Sequence, residues 1–382
     1  MSGEDAAGAD SPLAFLWDGV PRIGSESGWS VKPRGRLQFD AGALHYPDST
    51  GFADEDDSAF RRARIGIDGT APGGFGFRFE ADFAGNDMEV ADAFITYETG
   101  DLKLTAGQHN GFQSLEELTS SRFNSFVERA AFTDAFGFQR RLGISAQYST
   151  ADLLVQGGIF SANIDDLPSD DWSADARIIA MPRANEIQFH FGGSLHYTRL
   201  ESGTARRYRQ RPAVYLTDRR LIDTGSFPAD GELGLGLEVA VIGGPFHVAG
   251  EAFWQKVDRP AGLTDPTFFG GYAEIGLLLT PGDTRSYGEG TFGRVKPARP
   301  LNEGGPGAVE INLRYDYLDL NDAGIVGGRQ NGYLASLVWI PTNYTRLLLD
   351  YGRLQYADAI PTIGGDTRYG VDSFAVRAQV DF

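Results

Sequence analysis

From Phe374 to the terminal Phe382 every second residue is apolar, and Arg377, Gln379 and Asp381 stand between them. Successive side chains of an extended strand point to opposite faces, so this rhythm describes a strand with one oily and one wet surface. The rhythm recurs from Arg36 onward. Leu37, Phe39, Ala41 and Ala43 alternate with Arg36, Gln38 and Asp40; Phe75, Phe77, Phe79, Ala81 and Phe83 with Arg78, Glu80 and Asp82; Leu142, Ile144, Ala146 and Tyr148 with Arg141, Ser145 and Gln147. Later copies run through Ile187, Phe189, Phe191, Leu195 and Tyr197, through Leu233, Leu235, Leu237, Val239 and Val241, and through Val309, Ile311, Leu313, Tyr315 and Tyr317 opposite Glu310, Asn312, Arg314 and Asp316. The fold class that follows is all-β.

Alternation alone fits a soluble sandwich as well as a closed barrel. A sandwich domain takes roughly 100 residues, and several in series need linkers, but these 382 residues hold no Pro/Ser-rich linker or composition break. Tight turns at Pro72-Gly73-Gly74, Thr99-Gly100-Asp101 and Ser149-Thr150-Ala151-Asp152 alternate with long polar stretches at 47-58, 109-138, 163-185, 199-231, 256-270 and 281-307. Short turns on one rim and long loops on the other are the asymmetry of a transmembrane antiparallel β-barrel. The absence of any run of 18 apolar residues and the mean hydropathy of -0.26 do not oppose it, because alternating faces average out. Gly at 50 of 382 residues supplies turns, and alternating Gly in Gly231-Glu232-Leu233-Gly234-Leu235-Gly236 reads as wall that admits an inserted loop, not as a phosphate-binding turn. Aromatics at strand ends (Tyr46, Tyr97, Tyr148, Tyr197, Trp254, Tyr317, Trp339, Tyr351, Tyr356) suit the girdles at the two membrane interfaces.

A nine-residue alternation that ends on Phe382 has the length of a spanning strand, roughly 9 to 11 residues. It resembles the C-terminal signal that delivers barrels to the outer-membrane assembly machinery. Leu13 to Trp17 is a short apolar patch preceded by Glu4, Asp5 and Asp10 instead of basic residues, so no export signal is read there and a mature chain is expected. The expected division is 1-28 as an N-terminal extension, plug or periplasmic segment, and 29-382 as the barrel.

A net charge of -18 argues against nucleic acid as a partner. With no Cys, disulfides and thiolate metal sites are excluded. Of the 34 basic residues, Lys32, Lys103, Lys256 and Lys296 are the only lysines, which leaves 30 Arg. Arg suits planar grip on phosphate or carboxylate oxygens, although the codon bias of a GC-rich genome explains the excess equally well.

Five segments between Phe60 and Ala130 carry a family resemblance: Phe60-Arg61-Arg62-Ala63-Arg64-Ile65-Gly66-Ile67-Asp68-Gly69, Phe79-Glu80-Ala81-Asp82-Phe83-Ala84-Gly85, Asp92-Ala93-Phe94-Ile95-Thr96-Tyr97, Thr105-Ala106-Gly107-Gln108, and Ser114-Leu115-Glu116-Glu117-Leu118-Thr119-Ser120-Ser121-Arg122 followed by Glu128-Arg129-Ala130. In that order they resemble the phosphate-selective porins of O and P type. Beyond residue 160 the likeness thins to architecture. The resemblance implies a 16-stranded barrel, usually a homotrimer, whose third long loop folds inward as a constriction. It also implies an anion site made by Arg61 and Arg62, Arg36, Asp92, and Ser120 with Ser121. Guanidinium forks and hydroxyls donate to an oxyanion, and a carboxylate accepts from a protonated phosphate or orients an Arg. Two departures argue against high phosphate affinity: Glu117 stands where the family tends to place Lys, and four scattered lysines do not form its periplasmic cluster. With Ile65 and Ile67 facing lipid, Arg62 and Arg64 face the lumen; Arg61 faces outward unless a bulge or the strand end turns it in, so Arg62 ranks above it.

Seven arginines, Arg199, Arg206, Arg207, Arg209, Arg211, Arg219 and Arg220, crowd the stretch between Tyr197 and Leu221. If extended, Arg207, Arg209 and Arg211 point one way at about 6.5 to 7 Å spacing. With Arg206 they are expected to form a vestibule ladder that steers anions, a feature of the resembled family. The competing reading is a basic loop that binds lipopolysaccharide phosphates or pairs with acidic loops.

Other constellations carry little. Acidic runs at Asp54-Glu55-Asp56-Asp57, Asp165-Asp166 and Asp170-Asp171 lack the spacing of a calcium loop and read as solvated loops. His45, His109, His190, His196 and His247 show no metal-ligand spacing, and Ser120-Ser121 lacks a nucleophile elbow. No catalytic residue, metal or cofactor is expected. The leading expectation is a passive, anion-preferring porin of the bacterial outer membrane for phosphate or polyphosphate, with membrane lipid, lipopolysaccharide and the assembly machinery as contacts. A general or cation-tolerant pore, favoured by Glu117, Glu80, Asp82 and Asp316, and a structural barrel that anchors a surface layer or lipopolysaccharide stay open as alternatives.

Overall fold

The computed structural model describes residues 14–17, 21–25, 27–85 and 87–382. Sixteen antiparallel strands form one closed wall. In chain order they are β1 (Ser30–His45), β2 (Glu55–Ala71), β3 (Phe75–Asp82), β4 (Glu89–Thr99), β5 (Leu102–Asn110), β6 (Arg140–Ser149), β7 (Leu153–Phe160) and β8 (Trp172–Ala180). They continue as β9 (Ile187–Arg206), β10 (Phe227–Gly243), β11 (Phe246–Asp258), β12 (Thr267–Leu278), β13 (Ala308–Asp322), β14 (Ile325–Thr342), β15 (Thr345–Ala357) and β16 (Tyr369–Asp381). Each pairs with its neighbour in sequence, and β16 pairs with β1 in the register Val380↔Leu37 and Arg377↔Asp40. No edge is left unpaired in the wall, which satisfies the backbone in a medium without water.

The predicted faces are the observed ones. Leu37 and Phe39 point out at 45% and 40% exposure, while Arg36, Gln38 and Asp40 are buried in the interior. Around the ring Ile65, Ile95, Ile144, Leu237, Leu313 and Val376 repeat the outward pattern. A cationic side chain on that surface at mid-membrane costs roughly 2–4 kcal/mol, so the charged residues are confined to the lumen phase. Two expected girdle tyrosines depart from this: Tyr46 and Tyr356 are buried inside, Tyr46 against Phe52 at 5.7 Å and Tyr356 beside Tyr369 at 6.0 Å. An aromatic at a strand end takes the face its phase dictates, and these two fall on the inner one.

Of the N-terminal extension expected over 1-28, residues 1–13, 18–20 and 26 lie outside the described residues. Ala14–Trp17 and Pro21–Gly24 pair as a hairpin, and Ile23 and Gly24 add to the start of β1 opposite Val31 and Ser30.

The lumen is not empty. The loop 111–139, between β5 and β6, folds inward and carries two short helices, α1 (Leu115–Leu118) and α2 (Ala131–Ala135). Phe132 of α2 stacks between Phe253 and Tyr272, at 5.9 and 6.4 Å. Gly270 makes the room: a Cβ there would stand 2.4 Å from that of Phe132. The expected function of lumen glycines thus falls chiefly on Gly270, while Gly234 and Gly236 clear space for the Phe253 ring.

Two expected loops depart from the reading: 163-185 contains the strand β8, and 281-307 lies on the opposite rim. Strand parity puts the segment 279–307, between β12 and β13, on the side of the short turns, and the two residues between β13 and β14 on the side of the long loops. The composition of 281-307 marks it as non-strand, but only the strand count on either side fixes its rim. This segment also enters the lumen, where its hairpin Tyr287–Gly288 and Thr291–Phe292 reaches the inward loop from below.

Candidate functional site

The inward loop is suspended by carboxylates of the far wall. Glu251 on β11 accepts from the backbone N–H groups of Leu115 and Glu116 at 2.9 and 2.7 Å. Asp350 on β15 accepts from Val127 N–H at 2.6 Å, and Asp316 on β13 from Ala131 N–H at 2.8 Å. Arg346 and Arg285 donate to loop carbonyls, Arg346 to Asn124 at 2.9 Å and Arg285 to Phe123 at 2.6 Å. Loop and far wall therefore fill one half of the barrel. Wall histidines belong to this filling: His190 shares a 2.6 Å hydrogen bond with Tyr287, and His247 lies between Glu274 and Arg285.

The other half stays open, between the loop and β1–β6. A cavity of about 480 Å³ opens there, lined by Arg61, Arg62, Arg64, Glu89, Glu128, Asp165 and Arg211 among others. A second cavity of about 170 Å³ is lined by Arg36, Arg62, Asp92, Ser120, Ser121 and Arg122. The two share Arg62, Arg64, Glu117, Arg129 and Arg140, which form the neck between them.

All six residues expected at the anion site line one or the other cavity. The register of β1 against β2 runs Gln38↔Arg62 and then Phe39↔Phe60, so Arg61 is the extra residue of a bulge. The bulge turns it inward, where its guanidinium donates to Glu128 at 2.8 and 3.3 Å. Arg36 donates to Ser121 Oγ at 2.5 Å, and Arg62 donates to Gln38 at 3.0 Å. Asp92 accepts from Arg140 at 2.6 Å, and Ser120 Oγ accepts from Arg122 Nε at 3.2 Å.

Neutralisation separates these guanidiniums. Arg34 and Arg64 are bound to Glu80 at 2.8 and 3.2 Å, Arg64 also to Asp82 at 2.6 Å, and Arg78 to Asp68 at 2.7 Å. Of the four carboxylates that favoured a cation-tolerant pore, Glu80 and Asp82 are thereby occupied, Asp316 holds the loop, and Glu117 stands 3.4 Å from Arg129. Among the described residues Arg62 has no ion-pair partner; Arg36 stands 3.7 Å from Glu80 and Arg122 3.8 Å from Asp381. Three loosely compensated cations and the hydroxyls of Ser120 and Ser121 thus face one small cavity, a donor-rich lining for an oxyanion.

Sequence reading missed Arg34, Arg78, Arg122, Arg129 and Arg140 as lining residues. Arg34 shares the phase of Arg36 and could have been found by it. Arg140 begins a strand 48 residues after its partner Asp92, and no local signal joins them. The Arg ladder divides. Arg211 lines the larger cavity, with its guanidinium over Tyr215. Arg206 pairs with Glu232 at 3.2 Å, Arg207 with Asp223 at 2.5 Å, and the exposed Arg209 lines neither cavity. Arg206 ends β9 and, among the rest of the ladder, only Arg209 lies in a strand, the two-residue Arg209–Gln210, so the side chains do not keep one direction.

Comparison with known proteins gives three findings. The family described as phosphate-selective porin O and P matches residues 31–382. An uncharacterized protein of Caulobacter vibrioides is 42% identical over 390 residues, with 98% of this chain and 78% of the relative covered. Among solved structures, the anion-selective porin from Comamonas acidovorans superposes with a TM-score of 0.60 at 12% identity, covering 93% of this chain and 100% of that one. The trimer form of in-vitro folded OmpT, an outer membrane protein of Vibrio cholerae, gives 0.56 at 13% identity, covering 93% and 99%.

Proposed function

Because the chain belongs to the phosphate-selective porin O and P family and is an outer-membrane porin channel, we propose that it favours small anions, phosphate or polyphosphate among them. The observation that carries this reading is the 170 Å³ cavity in which Arg62 has no ion-pair partner among the described residues, Arg36 and Arg122 reach carboxylates only at 3.7 and 3.8 Å, and all three line the same space as Ser120 and Ser121. Anions drawn into the 480 Å³ vestibule would meet Arg61 and Arg211, cross the neck, and exchange water for guanidinium and hydroxyl donors. Passage is passive: each contact must be weak enough to release its ion to the next. Arg206, Arg207 and Arg209 contribute at most a diffuse field at the mouth.

A second reading has one observation in its favour. Glu89, Glu117, Asp165 and Asp166 also border the vestibule, which suits a general pore that admits cations. Reversal potentials across planar bilayers under a KCl gradient separate the two. Chloride preference supports the anion pore, potassium preference the general pore, and a barrel without conductance would point to an anchoring role. We further propose a homotrimer, in line with the trimer form named for the OmpT relative in fold. Lipid and lipopolysaccharide around the apolar belt, and assembly directed by the strand that ends at Phe382, belong to the same reading.

A further inference from the structure

The neck between the two cavities contains an acid that the proposed pathway does not need. Glu117 lies on α1 and borders both cavities together with Arg62, Arg129 and Arg140. Its carboxylate stands 3.4 Å from Arg129 Nη1. That contact is not what holds Arg129. The same guanidinium donates to three loop carbonyls, those of Glu116, Glu117 and Thr119, each at 2.9 Å. The far-wall acids hold the loop backbone independently. Glu117 is thus a carboxylate placed among guanidiniums whose positions do not depend on it.

We propose that Glu117 is a built-in counterion of the neck, a tethered anion that competes with each arriving oxyanion for Arg62 and Arg129. The inference rests on the anion-pore reading and deepens it. Without it Arg62 and Arg129, which no other carboxylate pairs among the described residues, would retain a multiply charged oxyanion, and a retained ion stops the flow behind it. A fixed carboxylate lowers the positive potential where the two cavities meet and offers the guanidiniums a partner to return to once the ion leaves. The neck then works as a relay. Its solute class is that of small oxyanions, such as inorganic phosphate, passed with low affinity and short residence.

A bracing role for Glu117 predicts the opposite signs from a counterion role. If the carboxylate braced the loop, neutralising it would loosen the constriction, raise conductance and lower ion selectivity. If it is a counterion, Glu117→Gln will raise chloride over potassium preference, leave conductance in KCl equal or lower, and make phosphate a blocker. The measurement is single-channel recording of the full detergent-purified protein in KCl with added inorganic phosphate. The expected result is a half-blocking phosphate concentration at least tenfold lower in E117Q than in the native protein. Glu117→Ser serves as a second neutral variant should E117Q not assemble, and E117D, which keeps the charge, should behave as the native protein does. An unchanged half-blocking concentration and reversal potential in the neutral variants overturns the proposal, as does a rise in conductance with loss of selectivity. Failure of the underlying reading is seen separately: potassium preference in the native protein refutes the anion pore whatever the variants do.

Discussion

Arg377 on the last strand grips Asp40 on the first through two parallel hydrogen bonds, Nε to Oδ1 at 2.7 Å and Nη2 to Oδ2 at 2.6 Å. Both side chains are buried in the lumen wall, at 1% and 2% exposure, and the pair bridges the seam that closes the barrel. Removal of Arg377 leaves the buried Asp40 charge uncompensated, which costs about 3 kcal/mol or more, whereas removal of Asp40 leaves Arg377 the more distant Glu128 at 3.4 Å and costs less. Arg377→Ala and Asp40→Ala should therefore each lower the denaturant midpoint of the detergent-folded protein clearly. The double variant should lose less than the sum of the two. Additive losses would show that the seam does not depend on this pair.

Arg62 and Arg209 should respond differently to charge reversal, since only Arg62 lines the neck. Two charge units at about 6 Å from a permeating ion in water are worth about 1.4 kcal/mol, against chloride and in favour of potassium, so Arg62→Glu should reduce chloride over potassium permeability by up to roughly a hundredfold. Arg209→Glu acts at the surface through screening salt and should leave the ratio nearly unchanged. Equal effects at the two positions would remove the neck from the account.

Glu251 and Asp350 suspend the inward loop by accepting three of its backbone N–H groups. Each donor left without a partner costs roughly 1–3 kcal/mol, enough to populate other loop positions. In Glu251→Ala and in Asp350→Ala, single-channel conductance should rise and become noisy while the wall keeps its strand content by circular dichroism. Quiet channels of native conductance would mean that the loop is held elsewhere.

Gly35 and Phe382 meet at the same seam. Their backbones exchange two hydrogen bonds of 3.1 and 3.0 Å, and the Phe382 ring covers Gly35 so closely that an added Cβ would stand 2.4 Å from it. Gly35→Val should displace the ring and lower the temperature at which the folded band is lost on a gel. The addition of Phe382→Ala should recover part of that loss, because the two changes act on one contact.

The strand phases were legible in the sequence because side-chain direction in a strand is local: residue 37 points away from residue 36 whatever the rest of the chain does. With lipid outside, alternation alone placed Leu37, Ile65 and Val376 outward and Arg36, Asp40 and Arg314 inward, and the family resemblance carried by the motifs from Phe60 to Ala130 pointed to Arg36, Arg62, Asp92 and the two serines. Tertiary structure decided how those inward charges combine. The bulge that brings Arg61 inward exists only in the register of β2 against β1. Segment 279–307 took its rim from the strand count, and Arg140 at the start of β6 found Asp92 on β4, two strands away along the wall. Whether an arginine is neutralised by a carboxylate or left to meet an ion depends on which residues face it across the lumen, and electrostatic attraction acts through that space without regard to distance along the chain.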